Sequence, residues 1–299
     1  MNIGDKVVRK SHGKDLTFEI IDIIEKEEKT ICMLVGCNMR IIADSSIEDL
    51  EYASHEFSKK EEVFDSKVKD NIKKIMKMRG GSNLAAQDTG KVVQMNKVNK
   101  KDKKKVQNKE LFFGRPGRIL HVDGDSRYLD ECLKAYKQLG LIAEGVAIPE
   151  QEQPKVIVDL VKKYKADIVV LTGHDGMIRS NNDFGDLLNY RNSKYFVESV
   201  TNLREYEPNY DDLVIFAGAC QSCYESILDA GANFASSPKR VLIHCLDPVF
   251  LCERIAYTNI ASVVEIEQAI GNTLTGIDGI GGLQTRGKYR EGFPKSSYI

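Results

Sequence analysis

Ala166-Asp167-Ile168-Val169-Val170-Leu171-Thr172-Gly173-His174-Asp175-Gly176 is the stretch on which the reading of the fold turns. Its first seven residues form a short, β-branched, apolar run closed by a glycine turn. Such a run reads as a strand buried on both faces rather than as one side of an amphipathic element. The pattern recurs on either side. Residues 118–122, 141–148, 212–217 and 240–245 are comparable runs, and residues 262–266 are a shorter one. Helical spacing fills the intervals at residues 128–139, 154–164 (with Pro154 in the first turn), 195–204, about 221–230 and 249–257. Alternation of this kind predicts an α/β domain over residues 111–299, with a parallel sheet covered by helices on both faces in three layers. Ligands of such sheets sit outside the carboxyl ends of the strands. Chemistry is therefore expected at residues 123–125, 173–176, 218–223 and 244–248.

The chain has 299 residues, 42% of them hydrophobic and 29% charged, with a net charge of −1, as expected for an ordinary soluble protein with a real core. No apolar stretch approaches the roughly 18 residues of a membrane span, and no general nucleic-acid affinity is expected. The N-terminus lacks the apolar core of an export signal, so the seven cysteines are expected to remain thiols. Residues 1–53 carry short β-prone runs at Val7-Val8, 17–24, 30–35 and 39–42. After the opening Gly4-Asp5-Lys6-Val7-Val8 these suggest a small SH3-like or Tudor-like barrel. Residues 54–110 read as a charged, Lys-rich flexible linker, in which residues 59–78 could form a solvated helix and residues 96–109 cannot bury enough apolar surface to order.

Two nucleophile-chemistry residues lie just past consecutive strands, His174 after residues 166–172 and Cys220 after residues 212–217. Neighbouring strands run about 5 Å apart, so end-loop side chains can meet across them. A helix opening at Cys220 would favour a thiolate there, with His174 as the proton acceptor. Backbone N–H groups of Cys220, Asp175 and Gly176 would receive an oxyanion. Rival readings use the same residues. Ile119-Leu120-His121-Val122-Asp123-Gly124-Asp125 resembles the acidic pair of a response-regulator receiver, but no lysine closes the fifth strand. Cys220-Gln221-Ser222-Cys223 has the spacing of a thiol oxidoreductase. Cys220, Cys223, His244, Cys245 and Cys252 match structural zinc spacing only weakly, and neither a metal nor a cofactor is expected. A non-enzymatic scaffold recognising other proteins through residues 1–53 is a further alternative.

The blocks before His174 and before Ala219-Cys220 resemble the caspase–legumain–gingipain–separase group of cysteine peptidases, although Asp175 stands between His174 and the next glycine and Gly218 where many relatives carry Gln or Glu. The N-terminal MNIGDKVVRKSHGKDLTFEI, GRILHVDGDSRYLDECLKAYKQLGL and VVLTGHDGM resemble the YabG family of sporulation-specific proteases of spore-forming Firmicutes, over essentially the whole chain. The resemblance implies a caspase-like, flavodoxin-like catalytic domain and an endopeptidase acting on spore coat or related precursor proteins. It also implies a cytoplasmic location in the mother cell, with the spore coat as a further destination. Mapped from the caspase-like group, the primary pocket draws on Asp123, Asp125, Gly218 and Asp247. An acidic pocket would select Arg, or Lys, before the scissile bond. Self-processing near Arg79, Arg115 or the Lys run follows as a corollary. A Cys223→Ser protein separates two of the readings: peptide hydrolysis should survive within a few-fold, whereas a thiol oxidoreductase would lose turnover in a disulfide-exchange assay.

Overall fold

The computed structural model describes residues 1–26, 29–53, 55–81, 111–178, 183–296 and 298. The Lys-rich stretch 96–109 lies outside the described residues. At the N-terminus, β1 (Lys6–Arg9), β2 (Thr17–Lys26), β3 (Lys29–Gly36), β4 (Ile42–Ser46) and β5 (Leu50–Tyr52) pair antiparallel in the order β4-β3-β2-β1-β5. Period-two alternation sends Val7, Phe18, Ile20, Cys32, Leu34 and Leu50 into one small core.

A 27-residue helix, α1 (His55–Gly81), follows. Half of the stretch read as a flexible linker is therefore helical, and its C-terminal end is docked. Ile75 is buried. Arg79 donates to the Leu139 carbonyl at 2.6 Å, pairs with Glu253 at 3.2 Å and lies over the Tyr257 ring.

The remainder is the α/β unit. In chain order it comprises β6 (Phe113–Arg115), β7 (Arg118–Asp123), α2 (Ser126–Gln138), β8 (Ile142–Ala147), α3 (Gln153–Tyr164), β9 (Ile168–Thr172), α4 (Ser193–Tyr206), β10 (Val214–Ala217), α5 (Tyr224–Asp229), β11 (Phe234–Ser236), α6 (Asp247–Tyr257), α7 (Ile266–Gly271), β12 (Ile280–Gly282) and β13 (Arg290–Gly292). The six-stranded sheet runs β12-β11-β10-β9-β7-β8, parallel except for the antiparallel edge β12, while β6 and β13 form a separate ribbon. The five parallel strands thus follow the 2-1-3-4-5 order of flavodoxin-like sheets, whose crevice opens beside the first strand. Odd and even residues of each strand serve different layers. Ile119, Val170 and Phe216 pack with α2 and α6. Leu120, Leu171 and Ala217 pack with α3, α4 and α5.

Three expectations are corrected. Residues 240–245 are not the fifth strand; that place belongs to β11, and residues 240–245 form a loop along the sheet's carboxyl end. Residues 262–266 make only an isolated bridge, Val263 to Arg286, and the sixth strand is β12. The helix expected from about residue 221 starts only at Tyr224, and residues 266–293 hold α7, β12 and β13.

The N-terminal sheet meets the α/β unit through the connection between β3 and β4. The Tyr128 hydroxyl bonds the Gly36 and Met39 carbonyls at 2.6 and 2.7 Å. The Cys245 N–H donates to the Asn38 carbonyl at 3.4 Å, and Met39 bridges His244 antiparallel. Arg40, 1% exposed, places Nη1 2.6 Å from Asp123 Oδ2. Removal of residues 1–53 would take from the buried Asp123 carboxylate its Arg40 cation. Arg40→Ala should lower stability by about 3–5 kcal/mol in urea titration. Adding Asp123→Asn should recover part of that loss.

Candidate active site

Register places His174 and Cys220 past the same end of neighbouring strands. β9 and β10 pair Leu171 with Ala217, so His174 and Cys220 each lie three residues beyond a paired position. β7 and β9 pair Asp123 with Thr172, so Asp125 and His174 each lie two residues beyond the next pair. His174 Nε2 is 2.9 Å from Asp125 Oδ2. With Nε2 committed, Nδ1 is left buried and without a hydrogen-bond partner among the described residues. Buried unpaired nitrogens are rare and mark positions held for something other than packing. Burial would raise Asp125, but its bonds to His174 and to the Arg127 N–H outweigh that and hold its carboxyl below the usual range. Asp125, expected as a pocket residue, therefore fixes the tautomer and orientation of His174.

Asp175 is a brace. One carboxylate oxygen accepts from the Gly176 and Asn192 N–H groups, each at 2.8 Å. The other accepts from the Ser193 hydroxyl and, at 2.9 Å, from the Ser222 hydroxyl. Ser222 in turn accepts from Ala219 N–H at 2.9 Å, and Ser193 accepts from Cys223 N–H at 2.8 Å. The His174 loop and the Cys220 turn are thereby tied through a single carboxylate, which burial nevertheless raises above its ordinary value. Since Gly176 N–H is already taken up by Asp175, it is not free to serve an oxyanion. The N–H groups of Cys220 and Asp175 have no acceptor among the described residues.

Cys220 does not open a helix. Gln221 has a positive φ of 56°, and α5 begins at Tyr224 after an N-cap at Cys223. The sulfur instead accepts from the Ile243 N–H at 3.2 Å. Burial pushes the thiol up to about 11 against the opposing pull of that N–H and of Arg40. The residue is 1% exposed. The two thiols of the CxxC have different surroundings, because Cys223 faces the Phe184 and Gly185 carbonyls and Ser226. None of the seven cysteines forms a disulfide. Among the described residues no three His, Cys, Asp or Glu side chains are grouped to hold a metal ion.

Of the expected acidic pocket, Asp123 and Asp247 are fully buried and already engaged. Burial would raise Asp123, yet Arg40 and His121 beside it hold it well below the carboxylate range. It also accepts from Thr172 Oγ1 at 2.9 Å and from the Asp125 N–H at 3.0 Å. Asp247 faces away into its own chain, accepting from Leu274 N–H at 2.6 Å, His244 N–H at 3.2 Å and the Thr275 hydroxyl. Burial raises it to about 6. In place of a substrate cation, each carboxylate therefore has partners from the chain itself. Gly218 has φ +109°, and a Cβ there would lie 2.5 Å from Ser236 Oγ, so glycine is required by the backbone as well as by the space above the sheet.

Sequence reasoning missed Arg40, Glu150 and Tyr128. Glu150 Oε1 accepts the His174 N–H at 2.6 Å, and its carboxylate fills the space that side chains at Gly124 and Gly173 would occupy. Those two glycines at strand ends were the available signal for it. Tyr128 packs edge-on against the His174 ring, with centroids 5.7 Å apart. A separate cavity of about 710 Å³, lined by residues including Arg79, Phe113, Tyr257 and Tyr289, contains none of these groups.

A model of the family described as YabG peptidase U57 matches residues 2–294. The chain belongs to the YabG peptidase family. It is 41% identical over 296 residues to the sporulation-specific protease YabG of Bacillus subtilis (strain 168), covering 99% of this chain and 98% of the relative. No solved structure matches it. The family is one of peptidases, so the Cys220–His174 edge of the sheet is a candidate for peptide chemistry. A raised thiol pKa predicts that alkylation of Cys220 by iodoacetamide in the intact protein climbs about tenfold per pH unit towards about pH 11. A rate that levels off near pH 7 in peptide mass mapping would contradict the buried-thiol geometry.

Proposed function

We propose that the chain is a sporulation-associated cysteine endopeptidase in which Cys220 is the nucleophile and His174 the base. The observation that carries this reading is His174 itself, with Nε2 held by Asp125 and Nδ1 buried and unpaired one strand away from Cys220. His174 Nδ1 takes the thiol proton, and the thiolate adds to the carbonyl carbon before the scissile bond. The Cys220 and Asp175 N–H groups receive the oxyanion. Collapse breaks the C–N bond, and the amine leaves with the proton from His174. Water, deprotonated by the same nitrogen, then hydrolyses the thioester and regenerates the thiol.

The pocket reading narrows to Asp123 and Gly218, and Asp123 favours Arg over Lys through the guanidinium fork. A 2-1-3-4-5 parallel order with an antiparallel sixth strand supports the caspase-like assignment of residues 111–299, and the five-stranded N-terminal sheet supports an SH3-like or Tudor-like one. The relative's name extends the reading to sporulation, with spore coat or related precursor proteins as substrates, the mother cell as the site of synthesis, and self-processing within the Lys-rich stretch. Arg79 is a poor self-cleavage site because it is held in α1 by Glu253 and Leu139.

A panel of peptides differing only in the residue before the bond tests the reading. Hydrolysis is expected after Arg, more weakly after Lys, and should fall by about 10⁴-fold in Cys220→Ala and His174→Ala. Asp125→Asn should lower kcat by on the order of 10²–10⁴-fold with little change in KM, because the ring would present the wrong tautomer. Full activity in Cys220→Ala would exclude the mechanism.

A further inference from the structure

The segment that joins β3 to β4 lies where a substrate of the proposed protease would lie. Asn38, Met39 and Arg40 run beside the 240–245 loop, whose Ile243 N–H meets the Cys220 sulfur. Met39 bridges His244 antiparallel, and the Asn38 carbonyl receives the Cys245 N–H at 3.4 Å. Pairing of this kind is the backbone half of recognition by strand addition. The side-chain half is Arg40, whose guanidinium is buried over Asp123 and near the Cys245 carbonyl. The backbone of Arg40 reaches the Cys220 sulfur closely enough to influence its titration. The acidic pocket anticipated for a substrate arginine thus already contains an arginine from the same chain.

We infer that residues 38–40 occupy the substrate cleft of their own chain as an arginine-bearing strap anchored by one antiparallel bridge, holding the intact protein latent until this strap is displaced by an arginine-bearing peptide. The inference rests on the cysteine-protease reading for the identity of the cleft.

Two features make the strap an occupant rather than a substrate. Immediately after Arg40 the chain doubles back, since Ile41 N–H donates to the Met39 carbonyl at 2.8 Å in a three-residue turn, and Gly36 N–H closes on the Ile41 carbonyl at 2.8 Å. The peptide bond following Arg40 is therefore drawn back towards β3 instead of continuing past the thiol. The turn is also latched. The Tyr128 hydroxyl holds both the Gly36 and the Met39 carbonyl, and a Cβ at Gly36 would stand 2.5 Å from the Met39 oxygen, so this tight closure needs glycine.

One feature makes the strap displaceable. Among the described residues Arg40 has one short hydrogen bond, Nη1 to Asp123, and its guanidinium lies 5.2 Å from the Tyr128 ring centroid. Its Nη2 is a long 3.5 Å from the Cys245 carbonyl and otherwise meets only the weakly accepting Cys132 sulfur at 3.6 Å, and its Nε is buried without a partner among the described residues. An arginine free to tilt in the pocket can satisfy more of its donors than one tethered by the turn.

Thiol accessibility and hydrolysis, measured side by side on the full chain, test the inference. Iodoacetamide labelling of Cys220, followed by peptide mass mapping, should be slow in the unaltered protein and at least tenfold faster in Tyr128→Phe and in Gly36→Ala. The buried Cys32 and Cys252 report general loosening and should not change. The peptide acetyl-Asn-Met-Arg-amide should inhibit hydrolysis by Tyr128→Phe competitively, and the Gln analogue should not. Hydrolysis of an arginyl peptide by the unaltered protein with the KM and rate of both variants would overturn the strap while leaving the protease intact. So would labelling of all three cysteines rising together. Selective uncovering of Cys220 with no hydrolysis of any peptide would uphold the strap and overturn the protease reading.

Discussion

The pairing of Arg40 with Asp123 is the contact on which the rest of this molecule depends. A carboxylate at the end of a central parallel strand, with no exposure to water, is costly unless a cation and further donors meet it. Here the cation comes from a different sheet, and Thr172, His121 and the Asp125 N–H supply the remainder. The consequences run outward as a series. Arg40 keeps Asp123 ionised, Asp123 Oδ1 fixes the backbone of Asp125, and Asp125 Oδ2 fixes the ring of His174. One ion pair thereby joins the two halves of the chain and sets the orientation of the proposed base.

A second carboxylate performs the corresponding task between the His174 loop and the Cys220 turn. Asp175 interrupts the His-Gly pair that the sequence resemblance leads one to expect, and in doing so gains the Ser193 and Ser222 hydroxyls. The loss of Gly176 N–H as an oxyanion donor is the counterpart of that gain. Glu150, seated between Gly124 and Gly173, secures the backbone of His174 from the other side. Asp125, Asp175 and Glu150 thus position the site without any of the three needing to touch a substrate.

The parts of the fold carried by long apolar runs were legible in the sequence. β7, β9 and β10, and the residues just past them, stand close to where the runs placed them, because burial on both faces leaves a continuous β-branched signature. Short or polar elements were not legible. Phe234-Ala235-Ser236 gives too little signal to be read as the fifth strand, whereas the stronger run at residues 240–245 is a loop along the sheet's carboxyl end. The supposed helix start at Cys220 fails because Gln221 adopts a left-handed conformation that spacing does not reveal. At the site, reading found Asp123, Asp125 and Asp175 but neither Glu150 nor the cation. Arg40 lies 83 residues from Asp123, and no local pattern announces a partner at that distance.

That separation also bears on how the protein is made. Residues 1–53 leave the ribosome before Asp123 is synthesised, and an antiparallel sheet of sequence-adjacent strands can form early because its loops are short. When β7 emerges, the arginine that will neutralise its final residue has already been made and is available to it. The nascent sheet can therefore close around Asp123 without first exposing an unpaired charge to its own apolar interior, and the α/β half completes its core only against the half made before it. In this chain the order of synthesis and the order of charge neutralisation coincide.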